Sequence, residues 1–430
     1  MNSSSLNELG LCQMLALIGQ GEVSALDVIH ACFDQIEARE TNLGAWQTRL
    51  SREQYVQQYH EQEDFYRASL LQGLPLAIKD TIDTRQFVTE MGSVIHHGRQ
   101  PADNASCIEA LVAAGAQVLG KTVTTEFAYF KPGKTANPVN LQHTPGGSSS
   151  GSAAAVADGM VPMALGSQTA ASVIRPAAYC GIVGYVGSKD EYSLRGIQPL
   201  AQSLDSLGLF SRRVEDIELL RAILLQQPQT VVNELVPSLK VLVCKGSEVG
   251  DCAPEMEQAL LQFASQLEQA GAELITLDAC DLIRQLVTAH ETIMAWEVCR
   301  NLYFEAQQAA LVSAPLQELF IRGQQMERSE YLAALDKVAK VSHWLWGHPE
   351  HKKVDIILAP AAPSAAPIGL DRTGKPHMSR AWQVMGLPVV TVPHQVDELG
   401  LPLGIQLIGR PRADDQLLAI ANWVQEVLNK

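Results

Sequence analysis

Residues 144–159 read TPGGSSSGSAAAVADG, which places three consecutive serines after two glycines and directly before an alanine-rich run. The alanine-rich run predicts a helix over Ala153–Ala157, because alanine has the highest helix propensity. No other part of the chain has this Gly/Ser bias, and apolar, core-like sequence flanks the segment on both sides. A flexible linker between domains is therefore a poor interpretation of the segment, and the three hydroxyls need another role.

Two known loop types can be compared with this segment. A phosphate-binding P-loop requires Gly-Lys-Ser/Thr at its end, and no lysine follows the glycines here, so that interpretation fails. Gly147–Gly151 matches the G-x-S-x-G pattern of a nucleophile elbow, which would make Ser149 the nucleophile. That elbow requires a strand directly before it, whereas ANPVNLQHTPG is polar and is broken by Pro138 and Pro145. The elbow stays open as a minor alternative.

A third interpretation uses two other segments of the chain. Leu74–Ile78 (LPLAI) predicts a short buried strand, and Lys79 follows it directly. Burial lowers the pKa of a lysine and lets the side chain act as a base. Ser172 lies in a turn of small residues, where backbone N–H groups can approach a substrate closely and stabilise an oxyanion. Each pattern is weak alone, because most strand-end lysines are solvated and most serines in such turns are structural.

Short apolar runs alternate with helical patterns along most of the chain, which predicts an α/β fold with a sheet buried on both faces. Besides Leu74–Ile78 and Ala116–Leu119, the strand candidates are Val161–Leu165, Leu239–Val243, Asp355–Leu358, Pro388–Val392 and Gly404–Ile408. The helix candidates include Ala105–Ala114, Glu215–Leu225, Pro254–Ala270, Leu282–Gln308, Ser329–Leu345 and Asp415–Leu428. There is no internal repeat and no long linker, so one domain is expected over residues 1–430.

Composition restricts the classes of function. The chain has 430 residues and a formal net charge of −15, which argues against a surface that binds nucleic-acid phosphates. Its eight cysteines form no CxxC pair and are typical of buried thiols in a reducing compartment. The sequence shows no secretory signal and no apolar stretch long enough to cross a membrane. We therefore expect a soluble cytoplasmic protein that acts on small molecules, without a membrane or nucleic-acid partner.

The order of Lys79, GGSSSGSAAAVADGMVPMALG and then Ser172 resembles the amidase signature family. Further segments with similar counterparts in that family are GLPLAIKDTIDT, EALVAAGAQVLGKTVTTEFA, SLDSLGLFSRRVEDIELL and GLPVVTVPHQVDELGLPLGIQLIGRPRADDQLL. The resemblance covers nearly the whole chain and is strongest over residues 73–220. It implies a single α/β domain with a large mixed sheet flanked by helices, and hydrolysis of a small carboxamide without a metal or a cofactor. Homodimers are common in that family.

The resemblance also implies a mechanism. Ser172 would be the nucleophile that forms an acyl-enzyme, and Lys79 in its neutral form would be the base. Ser148, behind a cis peptide bond with Gly147, would carry the proton between Lys79 and Ser172 and later to the leaving amine. The oxyanion hole would be formed by the backbone N–H groups of Thr169, Ala170, Ala171 and Ser172. Ser149 and Ser150 would form hydrogen bonds at the start of the following helix or hold the loop.

The sequence departs from the family pattern at three places. Ala170-Ala171 stands where the family usually has Gly-Gly; if either position needs a positive φ, alanine would be strained there and the oxyanion hole displaced. Gln168 replaces an aspartate common before the nucleophile, and Val186-Gly187 replaces a Lys-Pro pair. The first departure keeps a catalytically inactive homologue, acting as a binding protein, among the alternatives.

Arg175 lies three residues after Ser172, a spacing similar to that of the malonamidase-type branch. In that branch the arginine binds a carboxylate of the substrate, and Arg175 could do so bidentately. Alternatively, Arg175 pairs with a local acidic side chain and only supports the loop. Tyr129, within FAYFKPGK (residues 127–134), is expected to line the pocket and touch the substrate, although a plain covering loop is the alternative.

His343, His348 and His351 could suggest a metal site, but they lie in a segment without a nearby cysteine. We therefore expect them at a solvated helix end, and we expect no metal. The favoured function is an amidase that acts on a small carboxamide, with a carboxylate-bearing substrate as the finer expectation. An A-type amidotransferase chain, which would pass ammonia to a partner chain, is the alternative enzyme.

Overall fold

The computed structural model describes residues 3–228 and 239–428, and one mixed sheet of eleven strands runs through them. Along the sheet the strands follow the order β1-β3-β2-β4-β6-β5-β10-β11-β9-β7-β8. Their bounds are β1 (Trp46–Arg49), β2 (Pro75–Lys79), β3 (Gln117–Thr122), β4 (Met163–Gln168), β5 (Val183–Val186), β6 (Ser206–Ser211), β7 (Lys240–Val243), β8 (Glu273–Thr276), β9 (Ile356–Pro360), β10 (Val389–Val396) and β11 (Pro402–Gly409).

Helices flank this sheet, and several begin with a side-chain cap; Ser24 Oγ, for example, accepts a hydrogen bond from Asp27 N at 3.1 Å. The helices are α1 (Leu11–Gly19), α2 (Ala25–Leu43), α3 (Arg52–Glu61), α4 (Glu63–Ala68), α5 (Ser106–Ala113), α6 (Ser150–Ala157), α7 (Ile174–Cys180), α8 (Val214–Leu225), α9 (Gly246–Val249), α10 (Pro254–Gln269), α11 (Cys280–Asn301), α12 (Tyr303–Ala306), α13 (Ala314–Gln325), α14 (Arg328–Gly347), α15 (His377–Val384) and α16 (Asp414–Leu428). The predicted fold class, an α/β domain with a large mixed sheet flanked by helices, is confirmed.

The middle of the sheet is covered on both faces, since every residue of β2, β3, β4, β9 and β11 is buried. This double coverage explains the apolar runs at β2 and β9, although β3, β4 and β11 also bury polar residues. β2 pairs in parallel with both β3 and β4. The carboxyl ends of these three strands therefore share one edge of the sheet, where β2 ends at Lys79 and β4 leads into the loop that contains Ser172.

Some elements differ from the sequence-based predictions. The sequence does not predict β1, β5, β6 and β8: β1, β5 and β8 have only four residues each, and β6 contains a glycine and begins and ends with serine. The single helix expected over Leu282–Gln308 ends at Asn301, where Leu302 takes non-helical φ and ψ angles of −106° and 38°. The expectation of a solvated helix end is wrong for His351, which is buried with its Nδ1 3.0 Å from the carbonyl oxygen of Leu345.

Neither a membrane-spanning helix nor a metal-binding cluster is found in residues 3–228 and 239–428. No helix in these two ranges is both long enough and apolar enough to cross a membrane. No group of three or more His, Cys, Asp or Glu side chains in the same ranges is arranged to hold a metal ion.

Candidate active site

Lys79 and Ser148, two of the three expected catalytic residues, are in direct contact. The Lys79 ammonium nitrogen Nζ donates to Ser148 Oγ at 2.7 Å, and the lysine side chain is fully buried. Ser167, on the neighbouring strand β4, provides two more acceptors for Nζ, its Oγ at 2.9 Å and its carbonyl oxygen at 3.1 Å. The parallel pairing of β2 with β4 brings these groups together. Sequence reasoning missed Ser167, because only the sheet register places it beside Lys79.

Burial changes the acid–base behaviour of Lys79. Removal of the ammonium group from water lowers the pKa of Lys79 from its usual 10.5 to about 7, although the charge of Asp205 acts in the opposite direction. Neutral and protonated lysine are therefore present in comparable amounts near neutral pH. A neutral lysine amine beside a serine hydroxyl can accept a proton, which is the capacity that a general base needs.

The serine-rich loop connects the region after β3 to helix α6. The Gly147–Ser148 peptide bond is cis, as the resemblance implied. Ser149 Oγ donates to the carbonyl oxygen of Ser167 at 3.3 Å, and Ser150 Oγ donates to that of Val123 at 3.2 Å. Ser149 does not cap α6 through its side chain. The second and third serines of the run therefore hold the loop against the sheet.

The nucleophile-elbow alternative needs a strand directly before Ser149. Among the described residues between β3 and α6, the only sheet pairing is an isolated bridge at His143. Ser149 is also completely buried, and its backbone N–H donates to the carbonyl oxygen of Ser172 at 3.2 Å. The fold therefore does not present Ser149 as an elbow nucleophile.

Ser172 and Ser148 line one cavity. The loop residues Thr169, Ala170, Ala171 and Ser172, which were expected to form the oxyanion hole, also line it. Within the described residues, the N–H groups of Ala170, Ala171 and Ser172 donate to no protein acceptor. Buried backbone N–H groups are almost always paired, so the N–H groups of the buried Ala171 and Ser172, and that of the half-buried Ala170, can donate to a bound ligand.

The two alanines of this loop do not need glycine geometry. Seven non-glycine residues of the described ranges have a positive φ, and neither Ala170 nor Ala171 is among them. A side chain at these positions therefore causes no backbone strain of the left-handed kind. The physical premise for an inactive homologue, a strained alanine in the oxyanion loop, is not met.

Gln168 stands in place of the aspartate common in the family and organises the start of α7. Its Oε1 accepts hydrogen bonds from the backbone N–H groups of Val173 at 2.9 Å and Ile174 at 3.1 Å. Its Nε2 donates to Gln383 Oε1 at 2.8 Å. A neutral amide thus supports the turn that follows Ser172.

Thr169 is held from two sides by residues that sequence reasoning did not identify. Its Oγ1 donates to Asp205 Oδ1 at 2.6 Å, and its carbonyl oxygen lies 2.7 Å from His290 Nε2. Since a carbonyl oxygen can only accept, His290 Nε2 carries the hydrogen. Burial, with the nearby charge of Arg380, lowers the pKa of His290 to about 3, so the imidazole is neutral at neutral pH. Burial also raises the pKa of Asp205 to about 7.

Arg175 and Tyr129 line the same cavity. Arg175 Nη1 donates to the carbonyl oxygen of Gly374 and Nη2 to that of Gly147, each at 2.6 Å. Nη2 also lies 3.2 Å from Thr373 Oγ1, and Arg175 forms no salt bridge within the described residues. The acidic partner of the alternative interpretation is therefore not observed. Contact of Arg175 or Tyr129 with a substrate stays a prediction.

Residues 27–418 match the family described as Amidase. The chain belongs to the amidase family. Among curated relatives, the A subunit of the glutamyl-tRNA(Gln) amidotransferase from Picosynechococcus sp. is 30% identical, over 94% of this chain and 95% of that protein. The A subunit of the same enzyme from Synechococcus sp. is 31% identical over 95% of each chain.

A solved structure of similar shape within the amidase family is the peptide amidase PAM bound to the competitive inhibitor chymostatin. It has a TM-score of 0.82 and 25% identity, and the match covers 97% of both chains. These relatives are amidotransferase A subunits and a peptide amidase, so they do not confirm the malonamidase-type branch suggested by the position of Arg175, which stays a prediction.

Proposed function

We propose that the protein cleaves the C–N bond of a small carboxamide, with Ser172 as the nucleophile. Ser172 Oγ would bond to the amide carbonyl carbon, and the Ser172 proton would pass by way of Ser148 to the neutral amine of Lys79. The same proton would then move to the departing nitrogen as the C–N bond breaks, leaving an acyl-enzyme. Water would hydrolyse that ester, release a carboxylic acid and restore the Ser172 hydroxyl.

The contact of Lys79 Nζ with Ser148 Oγ at 2.7 Å carries this proposal, because it joins a lysine whose pKa is near 7 to a hydroxyl in the Ser172 cavity. The oxyanion would accept hydrogen bonds from the N–H groups of Ala170, Ala171 and Ser172. Among the described residues, Ser172 Oγ has no hydrogen bond to Ser148 Oγ. A substrate is expected to bring the two hydroxyls together, as catalytic hydrogen bonds often tighten only when substrate is bound.

The amidotransferase relatives support a second candidate function. An A-type amidotransferase chain would perform the same cleavage, but it would pass the ammonia to a partner chain instead of releasing it. The proposed chemistry at Ser172 is shared by both candidates. They differ in the fate of the ammonia and in the need for a partner.

Ammonia release by the isolated chain tests the proposal. The substrates are glutamine and a panel of small carboxamides that differ in the charge of the acyl part, with Ser172→Ala as the matched inactive variant. Release that disappears in Ser172→Ala supports the proposed chemistry, and release that survives in this variant contradicts it. Activity on glutamine that rises sharply with a partner chain favours the amidotransferase role, whereas full activity of the isolated chain favours the amidase.

A further inference from the structure

The charged side chains that line the cavity around Ser172 are all positive. Among its lining residues are two arginines, Arg175 and Arg380, and no aspartate or glutamate. Both arginines are buried, with 4% and 8% of their surfaces exposed. Their single acidic partner within the described residues is Glu291, which pairs with Arg380. Two cations and one carboxylate leave a net positive charge beside the cavity, and in a poorly solvated site this favours an anionic ligand.

The two guanidinium groups differ in how many donors they have left. Arg175 uses both of its Nη atoms on the carbonyl oxygens of Gly147 and Gly374, so its fork holds two loops of the site together. Only its Nε lacks a partner. Arg175 therefore supplies positive charge to the cavity but little free hydrogen-bonding capacity.

Arg380, on α15, has one edge of its guanidinium, formed by Nε and Nη2, without a hydrogen-bond partner among the described residues. Its Nη1 bonds to Glu291 Oε1, whose side chain is 34% exposed, on helix α11. Its Nε is buried and has no hydrogen-bond partner, and no partner for Nη2 is found in the described ranges. The Nε and Nη2 donors of an arginine point in parallel, which is the geometry that a carboxylate binds with its two oxygens.

A buried guanidinium N–H without an acceptor is unfavourable, so a ligand that supplies the acceptor recovers that free energy. We propose that Arg380 binds a carboxylate of the substrate through Nε and Nη2, which makes the protein selective for small amides that also carry a carboxylate. This inference rests on the proposed function and deepens it. It places the anion-binding donors at residue 380, far in sequence from the Ser172 loop.

A matched pair of substrates tests the inference. Succinamate carries a carboxylate, and succinamide replaces it with a neutral carboxamide of nearly the same size; glutaramate and glutaramide form a second pair. Wild-type protein should have a higher kcat/KM for the acidic member of at least one pair. Arg380→Gln should lower kcat/KM for that acidic amide by roughly 10- to 100-fold, since hydrogen bonds to charged groups are worth that much, and should leave the neutral amide nearly unchanged.

Two further variants distinguish direct binding of the substrate carboxylate by Arg380 from a general effect of positive charge. Arg380→Lys keeps the charge but loses the paired donors, and its kcat/KM for the acidic amide should fall between those of wild type and Arg380→Gln. Arg328→Gln removes one positive charge from an exposed position on α14 and should leave the preference for the acidic amide intact. Covalent labelling of Ser172 by a fluorophosphonate, measured in each variant, reports whether the catalytic loop is still folded.

Several results would overturn the inference while leaving the proposed function intact. They are an equal loss for acidic and neutral amides in Arg380→Gln, no preference for acidic amides in the wild type, and no cleavage of either pair by a protein whose Ser172 is still labelled. Absence of Ser172 labelling in the wild type would instead contradict the proposed function itself.

Discussion

The pH dependence of Ser172 reactivity is the sharpest prediction from the buried lysine. Lys79 must be neutral to accept a proton, and burial lowers its pKa from 10.5 to about 7. That shift corresponds to about 5 kcal/mol of destabilisation of the charged form. At pH 7 about half of the lysine would be neutral, against roughly 0.03% for a lysine with an unshifted pKa. Burial thus increases the fraction of neutral, reactive lysine at pH 7 on the order of 1000-fold.

The assay is the second-order rate constant for fluorophosphonate labelling of Ser172 between pH 5 and 10. Because the protonated lysine is inactive, the rate should rise with pH, with a midpoint near 7, and then level off. Lys79→Met should lower the plateau by about 100-fold or more and abolish the midpoint, since positioned bases contribute 10²–10⁴-fold. Lys340→Met, at an exposed position on α14, is the control and should keep the wild-type profile. A flat profile in the wild type, or a midpoint above pH 9, would refute the role of Lys79 as the base.

Three further predictions concern the oxyanion loop. Asp205, whose own pKa is raised to about 7, favours protonated Lys79 when it is ionised. Asp205→Asn removes this charge, so the labelling midpoint should move to lower pH, and a shift to higher pH would contradict this. His290→Phe removes the donor that the carbonyl oxygen of Thr169 accepts from. The free energy of unfolding, measured by urea denaturation, should fall by about 1–3 kcal/mol. The variant should also lower kcat by a larger factor than it changes KM. Ala171→Gly should leave kcat unchanged and lower stability by about 0.4–1 kcal/mol, because no positive φ is relieved; a large gain in kcat would show that the alanine impairs the site.

Much of the sheet could be predicted from the sequence, because strands buried on both faces consist of continuous apolar residues. β2 and β9 are of this kind, and both lie where the apolar runs predict them. β8 could not be predicted in this way, because none of its residues is fully buried, and β6 contains a glycine within a short run. Packing, not local preference, decides these two strands.

The candidate site likewise contains some residues that the sequence predicts and others that only the fold brings together. Lys79, Ser148 and Ser172 lie in segments with a recognisable pattern, and the structure brings all three to one edge of the sheet. Their supporting groups have no local pattern: Asp205 lies 36 residues from the Thr169 that it holds, and His290 lies 121 residues away. Arg380 reaches the cavity from a helix near the end of the chain. Only the tertiary fold identifies such residues.

The identity of the nucleophile is the central claim, and the site of covalent labelling tests it most directly. After reaction with a fluorophosphonate, peptide mapping by mass spectrometry should place the adduct on Ser172. The adduct should be lost in Ser172→Ala and kept in Ser149→Ala. An adduct on Ser149, or labelling that persists without the Ser172 hydroxyl, would contradict the account.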